Sequence, residues 1–238
     1  MKKLFLIIFS SLMLLLLVGC ENFRANQSTE DQTTIPTEIT EFAFIINILD
    51  NYDFSNTNGF DYSSKQTVED IITNQDEIEQ RIEWIDETAK IYTEYTSLRL
   101  AEFNLDKTHD EFESVNYFYN NQIGEYNEEN NLIWQDITME AYLDFSLPLN
   151  QLLEEYFSTY SVEVVDDQYI LTGMIDTQYI DDILTTDQTN ISDLEITVIV
   201  NQDNDNLEEI SLTYQQDITR TEIIFTPYYD DAQVIIPE

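Results

Sequence analysis

The chain has one cysteine, one histidine, four glycines, four prolines and only nine lysines and arginines among 238 residues. Each scarcity excludes something. A single cysteine allows no intramolecular disulfide, so stability must come from an apolar core. One histidine, His109, with no thiolate beyond Cys20, leaves no ligand set for a zinc centre. A Ser-His-Asp triad would have to use His109, and no Gly-x-Ser-x-Gly elbow accompanies it. No glycine loop able to cradle phosphate occurs either. So few glycines and prolines exclude collagen-like and Pro-rich chains.

The shortage of basic residues stands against 48 acidic ones, for a net charge of −39. Phosphate backbones and anionic lipid head groups both require a basic footprint, so neither nucleic acid nor an electrostatic membrane grip fits. The acid is spread along the chain, and 42% hydrophobic with 13% aromatic residues excludes a disordered polyanion. The charge reads as a solvated surface suited to a salty or alkaline exterior; cation capture is the alternative. Asp203-Asn204-Asp205-Asn206 has the look of a calcium-loop start. Leu207 stands where a ligand belongs and Glu208 where glycine is needed, so a hairpin turn is expected. No metal, cofactor or catalytic residue is assigned. Paired carboxylates are too common here to mark a hydrolase, which remains a third possibility resting on a carboxyl with a raised pKa.

The longest apolar run is N-terminal. Lys2 and Lys3 precede Leu4 to Val18, and Gly19 and Cys20 follow. The run is too short to span a bilayer, which takes about 20 apolar residues, and has the charge order of a secretory signal. Leu17-Val18-Gly19-Cys20 resembles the lipobox of bacterial lipoproteins. That resemblance implies a signal peptide over 1–19, diacylglycerol on the Cys20 thiol, and an extracytoplasmic protein anchored to the cell membrane. Residues 20–36 are polar and read as a flexible tether.

From Thr37 to Leu49, Ile39, Phe42, Ile45, Ile46 and Leu49 recur at helical spacing. Asn51 to Ser64 reads as a loop, so 37–64 is a helix and loop leading into a domain over 65–238. A second helix is expected from Thr67 toward Trp84, on Val68, Ile71, Ile72, Ile78 and Ile82. Strands follow at Leu98–Phe103, Val115–Tyr119, Gln122–Tyr126 and Leu132–Ile137, and His109 falls in an expected loop. Pro148 to Tyr156 is expected to be helical, Val162–Thr172 a strand and Gln178–Leu184 a helical turn. Leu194–Val200, Ile210–Tyr214 and Ile223–Phe225 alternate with polar neighbours and form an antiparallel meander. The class is α+β, with helices on one face of an antiparallel sheet.

The element order over 65–238 is similar to the LolA-like half-barrel lipoproteins, including the mycobacterial LppX and LprG kind. The carriers are the stretch Tyr117 to Gln135, Leu149 to Phe157 before Tyr169-Ile170-Leu171, the hairpin Leu194 to Phe225, and Val234-Ile235-Ile236-Pro237. The resemblance implies a curved antiparallel sheet with helices packed on its concave face, where acyl chains can lie. Candidate ligand-facing residues are Tyr117, Tyr119, Trp134, Ile196, Val198, Leu212 and Tyr214; the same side chains equally suit a plain core. Two functions follow. One is a non-enzymatic, membrane-anchored protein binding a lipid or other apolar ligand. The other is a surface interaction or envelope-maintenance lipoprotein with no small-molecule ligand.

Overall fold

The computed structural model describes residues 40–85, 88–100, 109–142, 147–184 and 190–237. Eleven strands dominate: β1 (Gly59–Val68), β2 (Ile71–Ile85), β3 (Thr88–Leu100), β4 (His109–Tyr119), β5 (Gln122–Tyr126), β6 (Leu132–Asp136), β7 (Phe157–Val165), β8 (Gln168–Ile175), β9 (Ile191–Asn201), β10 (Leu207–Gln216) and β11 (Thr219–Pro227). Among the described residues three α-helices accompany them: α1 (Glu41–Asp50), α2 (Met139–Tyr142) and α3 (Ile180–Ile183). Residues Ile39–Glu238 make one compact unit. The signal, Cys20, the tether, Thr37 and Phe103 lie outside the described residues.

The strands form one large, curved, antiparallel sheet in the order β6-β5-β4-β3-β2-β1-β11-β10-β9-β8-β7. It is two meanders, β1–β6 and β7–β11, joined where β1 pairs with β11. The sheet does not close; β6 and β7 are its edges. Four connections are turns of two residues, at 69–70, 120–121, 166–167 and 217–218. Such turns need left-handed backbone. Asp70, Asn120, Asn121, Asp166 and Asp217 all have φ between 52° and 63°, and Asn and Asp tolerate that region best after glycine.

Directly opposed residues of antiparallel strands point to one face. Tyr62 lies opposite both Phe225 and Ile78, and Leu212 opposite both Ile196 and Ile223. These define the core face. There α1 lies against β8 and β9, and Phe42, Ile45 and Leu49 join α3 and β8–β11 in the main cluster. Each fully buried Ile, Leu or Val contributes about 1.5–3 kcal/mol. A second cluster, Ile82, Ala89, Ile91 and Phe118, lies under α2, whose Tyr142 stacks on Phe118 at 5.2 Å.

Five expectations are corrected. Residues 67–84 are the end of β1, the 69–70 turn and most of β2, not helix: Ile78, Gln80 and Ile82 alternate, and a spacing of four satisfies both periods. Residues 148–156 are not an α-helix: Leu149 makes an isolated bridge and one 3-10 turn covers Glu154–Tyr156. Leu149 bridges Leu184, and the Asn150 N–H donates to the Ile183 carbonyl at 2.6 Å. Tertiary pairing thus satisfies the backbone that a helix would have bonded internally. The loop expected through Ser64 ends at Gly59, where β1 begins. His109 opens β4 opposite Leu100, because the sheet recruits a polar stretch that looks like a loop. The helix expected from Thr37 begins at Glu41, with the Thr40 hydroxyl accepting from the Ala43 N–H at 3.3 Å.

Candidate functional site

The residues singled out as ligand-facing fall on opposite faces. Ile196, Val198 and Leu212 are 0% exposed and Tyr214 2%, all in the filled core face of β9 and β10. Tyr117, Tyr119 and Trp134 point to the other, open face, on β4 and β6. Four strands separate β4 from β10. The seven therefore do not line one concavity. Alternation gave the apolar side of β9 and β10, but on β4 it picked Tyr117 and Tyr119, whereas the buried residue of that strand is Phe118 on the core face.

The open face carries a row that sequence reasoning missed in part. Register places Gly59, Arg81, Tyr92, Tyr117, Gly124 and Trp134 side by side across six strands. The Tyr92 and Tyr117 rings are 5.7 Å apart, and Tyr126 meets Tyr117 at 6.4 Å. The Trp134 ring lies flat on Gly124: a Cβ there would stand 3.0 Å from three ring carbons. Gly124 is thus needed for this packing. The Arg81 guanidinium bonds Asp61 at 2.7 Å, approaches Glu79 at 3.4 Å and sits 4.5 Å over the Tyr228 ring.

The neighbouring row sets Asp61, Glu79 and Glu94 directly opposite one another. Like charges so placed repel, and Arg81 relieves part of this. The Tyr92 hydroxyl donates to Glu94. Burial, and then the Glu94 carboxylate, hold the Tyr92 phenol above its ordinary range; burial does the same for Tyr117. Both therefore remain hydrogen-bond donors across physiological pH. An open hollow of about 320 Å³ lies here, lined by Asp61, Glu77, Glu79, Glu94, Thr96 and Ile224 among others. Its rim is acidic, and Tyr62, Ile78 and Ile224 add apolar surface to its lining. Among the described residues no group of three His, Cys, Asp or Glu converges as a metal would require.

A second polar group sits on the core face of β2 and β3. Asp76 accepts from the Tyr95 hydroxyl at 2.7 Å, from Asn74 at 2.9 Å and from Arg99 at 3.3 Å. Burial alone would raise its carboxyl; these donors outweigh burial and hold it below the usual carboxylate range. A depressed pKa stabilises the fold above about pH 4 and ceases to as pH falls through the folded value. Asp76→Asn will therefore be less stable than wild type at pH 7, and the gap will narrow by pH 3. Urea titrations at both values measure it; an equal gap at both would contradict the assignment.

No family model and no curated protein matches the chain. Among solved structures, LprF from Mycobacterium bovis is similar at 12% identity and a TM-score of 0.38, over 82% of this chain and 96% of that one. A LolA superfamily protein from Nitrosomonas europaea is similar at 11% identity and a TM-score of 0.20, over 78% of this chain and 92% of that one. At TM-scores this low the two likenesses decide neither fold nor ligand.

Proposed function

We propose that the chain is a lipid-anchored, extracytoplasmic, non-enzymatic interaction protein, held to the cell membrane through Cys20 and working through the surfaces of its sheet. The observation that carries this reading is the filled core face: Ile196, Val198, Leu212 and Tyr214 pack against each other and the helices rather than around a void. The open hollow is edged by carboxylates, whose remaining hydration an acyl chain would displace at a cost. Burial raises the Glu209 carboxyl, but Glu209 lies outside that hollow, which supports a binding role over carboxylate-pair hydrolysis.

A second reading, binding of a lipid or other apolar ligand on the concave side, has one observation in its favour. Phe112 is 59% exposed on the core face beside Tyr95, at a ring distance of 6.1 Å. Helices packed on that concave face, as in a LolA-like half-barrel, belong to this reading. Native mass spectrometry after mild detergent extraction separates the two. The expected spectrum holds the polypeptide with its covalent acyl groups alone. A lipid retained non-covalently at one per chain would overturn the interaction reading.

A further inference from the structure

The two edges of the sheet are unlike. β6 has five residues and ends in Asp136, which is a guarded edge. β7 has nine residues, Phe-Ser-Thr-Tyr-Ser-Val-Glu-Val-Val, rich in β-formers and with one charge, Glu163. Tyr160, Val164 and Val165 are 41%, 56% and 45% exposed. Among the described residues no strand pairs with the outer side of β7. Its one irregularity, between Phe157 and Thr159, disturbs only the first residues. Thr159 to Val165 therefore offer a straight row of backbone donors and acceptors, the template that strand addition uses.

Charge at the ends says what fits. Glu154 and Glu155 stand before β7, and Asp166 and Asp167 directly after it, all four exposed. A second copy is a poor occupant. Paired antiparallel, it would bring Asp166–Asp167 of each copy beside Glu154–Glu155 of the other; paired parallel, it would set like carboxylates side by side. Each chain also carries −39 overall. We propose that β7 receives an extended segment of another protein, β-branched in its middle and lysine- or arginine-bearing at both ends. The backbone ladder supplies affinity, and the four flanking carboxylates select sequence and orientation. This deepens the interaction reading above by naming the edge and the partner's chemistry.

The probe is a labelled synthetic peptide, Lys-Lys-Val-Thr-Val-Thr-Val-Thr-Val-Lys-Lys, titrated by fluorescence anisotropy into the detergent-solubilised full chain near physiological salt. Micromolar binding is expected, and the same core with glutamates for lysines should bind at least about tenfold more weakly. Val164→Lys puts a charge on the edge strand and should weaken the lysine peptide about tenfold or more, with circular dichroism and Tm unchanged. Ile218→Ala, in the exposed turn between β10 and β11, should leave binding unchanged, and Tyr117→Ala tests the open face as the alternative site. The proposal falls if Val164→Lys and the native chain bind alike, if Tyr117→Ala alone weakens binding, or if no binding is seen at millimolar peptide. It also falls if the chain dimerises through β7, seen as a mass doubling that Val164→Lys removes. A non-covalent lipid in the native mass spectrum would overturn the ligand-free reading and leave this titration standing.

Discussion

Gly59→Ala will destabilise the protein by about 3 kcal/mol or more, against a total stability on the order of 5–15 kcal/mol. Two independent features make this residue intolerant. Its φ is +128°, a region that a side chain rarely adopts. A Cβ would also stand 2.0 Å from the Gln80 carbonyl oxygen and 2.9 Å from the Arg81 Cα. Those are backbone atoms and cannot swing aside. The position matters to the whole sheet because β1 is the strand that joins the two meanders. The Gly59 carbonyl accepts from Tyr228 N–H at 2.8 Å, and next to it Asn58 N–H donates to the Tyr228 carbonyl and Ile82 N–H to the Asn58 carbonyl. Gly124→Ala is the control. It meets only the Trp134 ring at 3.0 Å, which can tilt, so its cost should be about 1 kcal/mol. Urea midpoints of the two variants test the ranking; equal losses would mean that the Gly59 backbone can relax and that the junction is softer than its contacts imply.

The parts of the fold legible in the sequence share one property: their spacing fits a single period. In α1, Phe42, Ile45 and Leu49 are three and four apart, which only a helix gathers on one side. In β9 to β11, strict alternation leaves only strands. Ile78 and Ile82 in β2 are four apart, which both periods satisfy, and the Glu, Gln and Arg between them are good helix formers. Fifteen residues of strand were hidden in that coincidence. The candidate site suffered the same loss. Tyr117 and Trp134 stand out as aromatics, but Arg81 falls within the presumed helix and Tyr92 in a stretch assigned to no element. The partners that give the open face its character were therefore out of view. Face assignment across the sheet depends on which strands pair, and β1 with β11 joins residues about 160 positions apart, beyond any local pattern.

On the anchoring proposed above, Cys20→Ala will transfer the protein from the membrane fraction to the medium almost completely. The size of the effect follows from what else could hold it. Lys2 and Lys3 are the only basic residues in the leader and all 48 acidic residues lie beyond it, so processing would leave a body near −41. Anionic lipid surfaces repel such a body. Among the described residues no helix is long and apolar enough to cross a membrane. A covalent anchor would then carry the whole attachment. Each buried methylene contributes about 0.8 kcal/mol, so two chains of a dozen or more methylenes amount to on the order of 20 kcal/mol, where one chain alone is marginal. With that removed, no graded intermediate should be seen: the variant should be soluble at all salt concentrations, since no electrostatic contact remains to be screened. Fractionation of cells and medium, with immunoblotting at low and high salt, measures it. Membrane retention of the variant at high salt would show that something other than the Cys20 lipid holds the chain, and the anchoring proposal would be withdrawn.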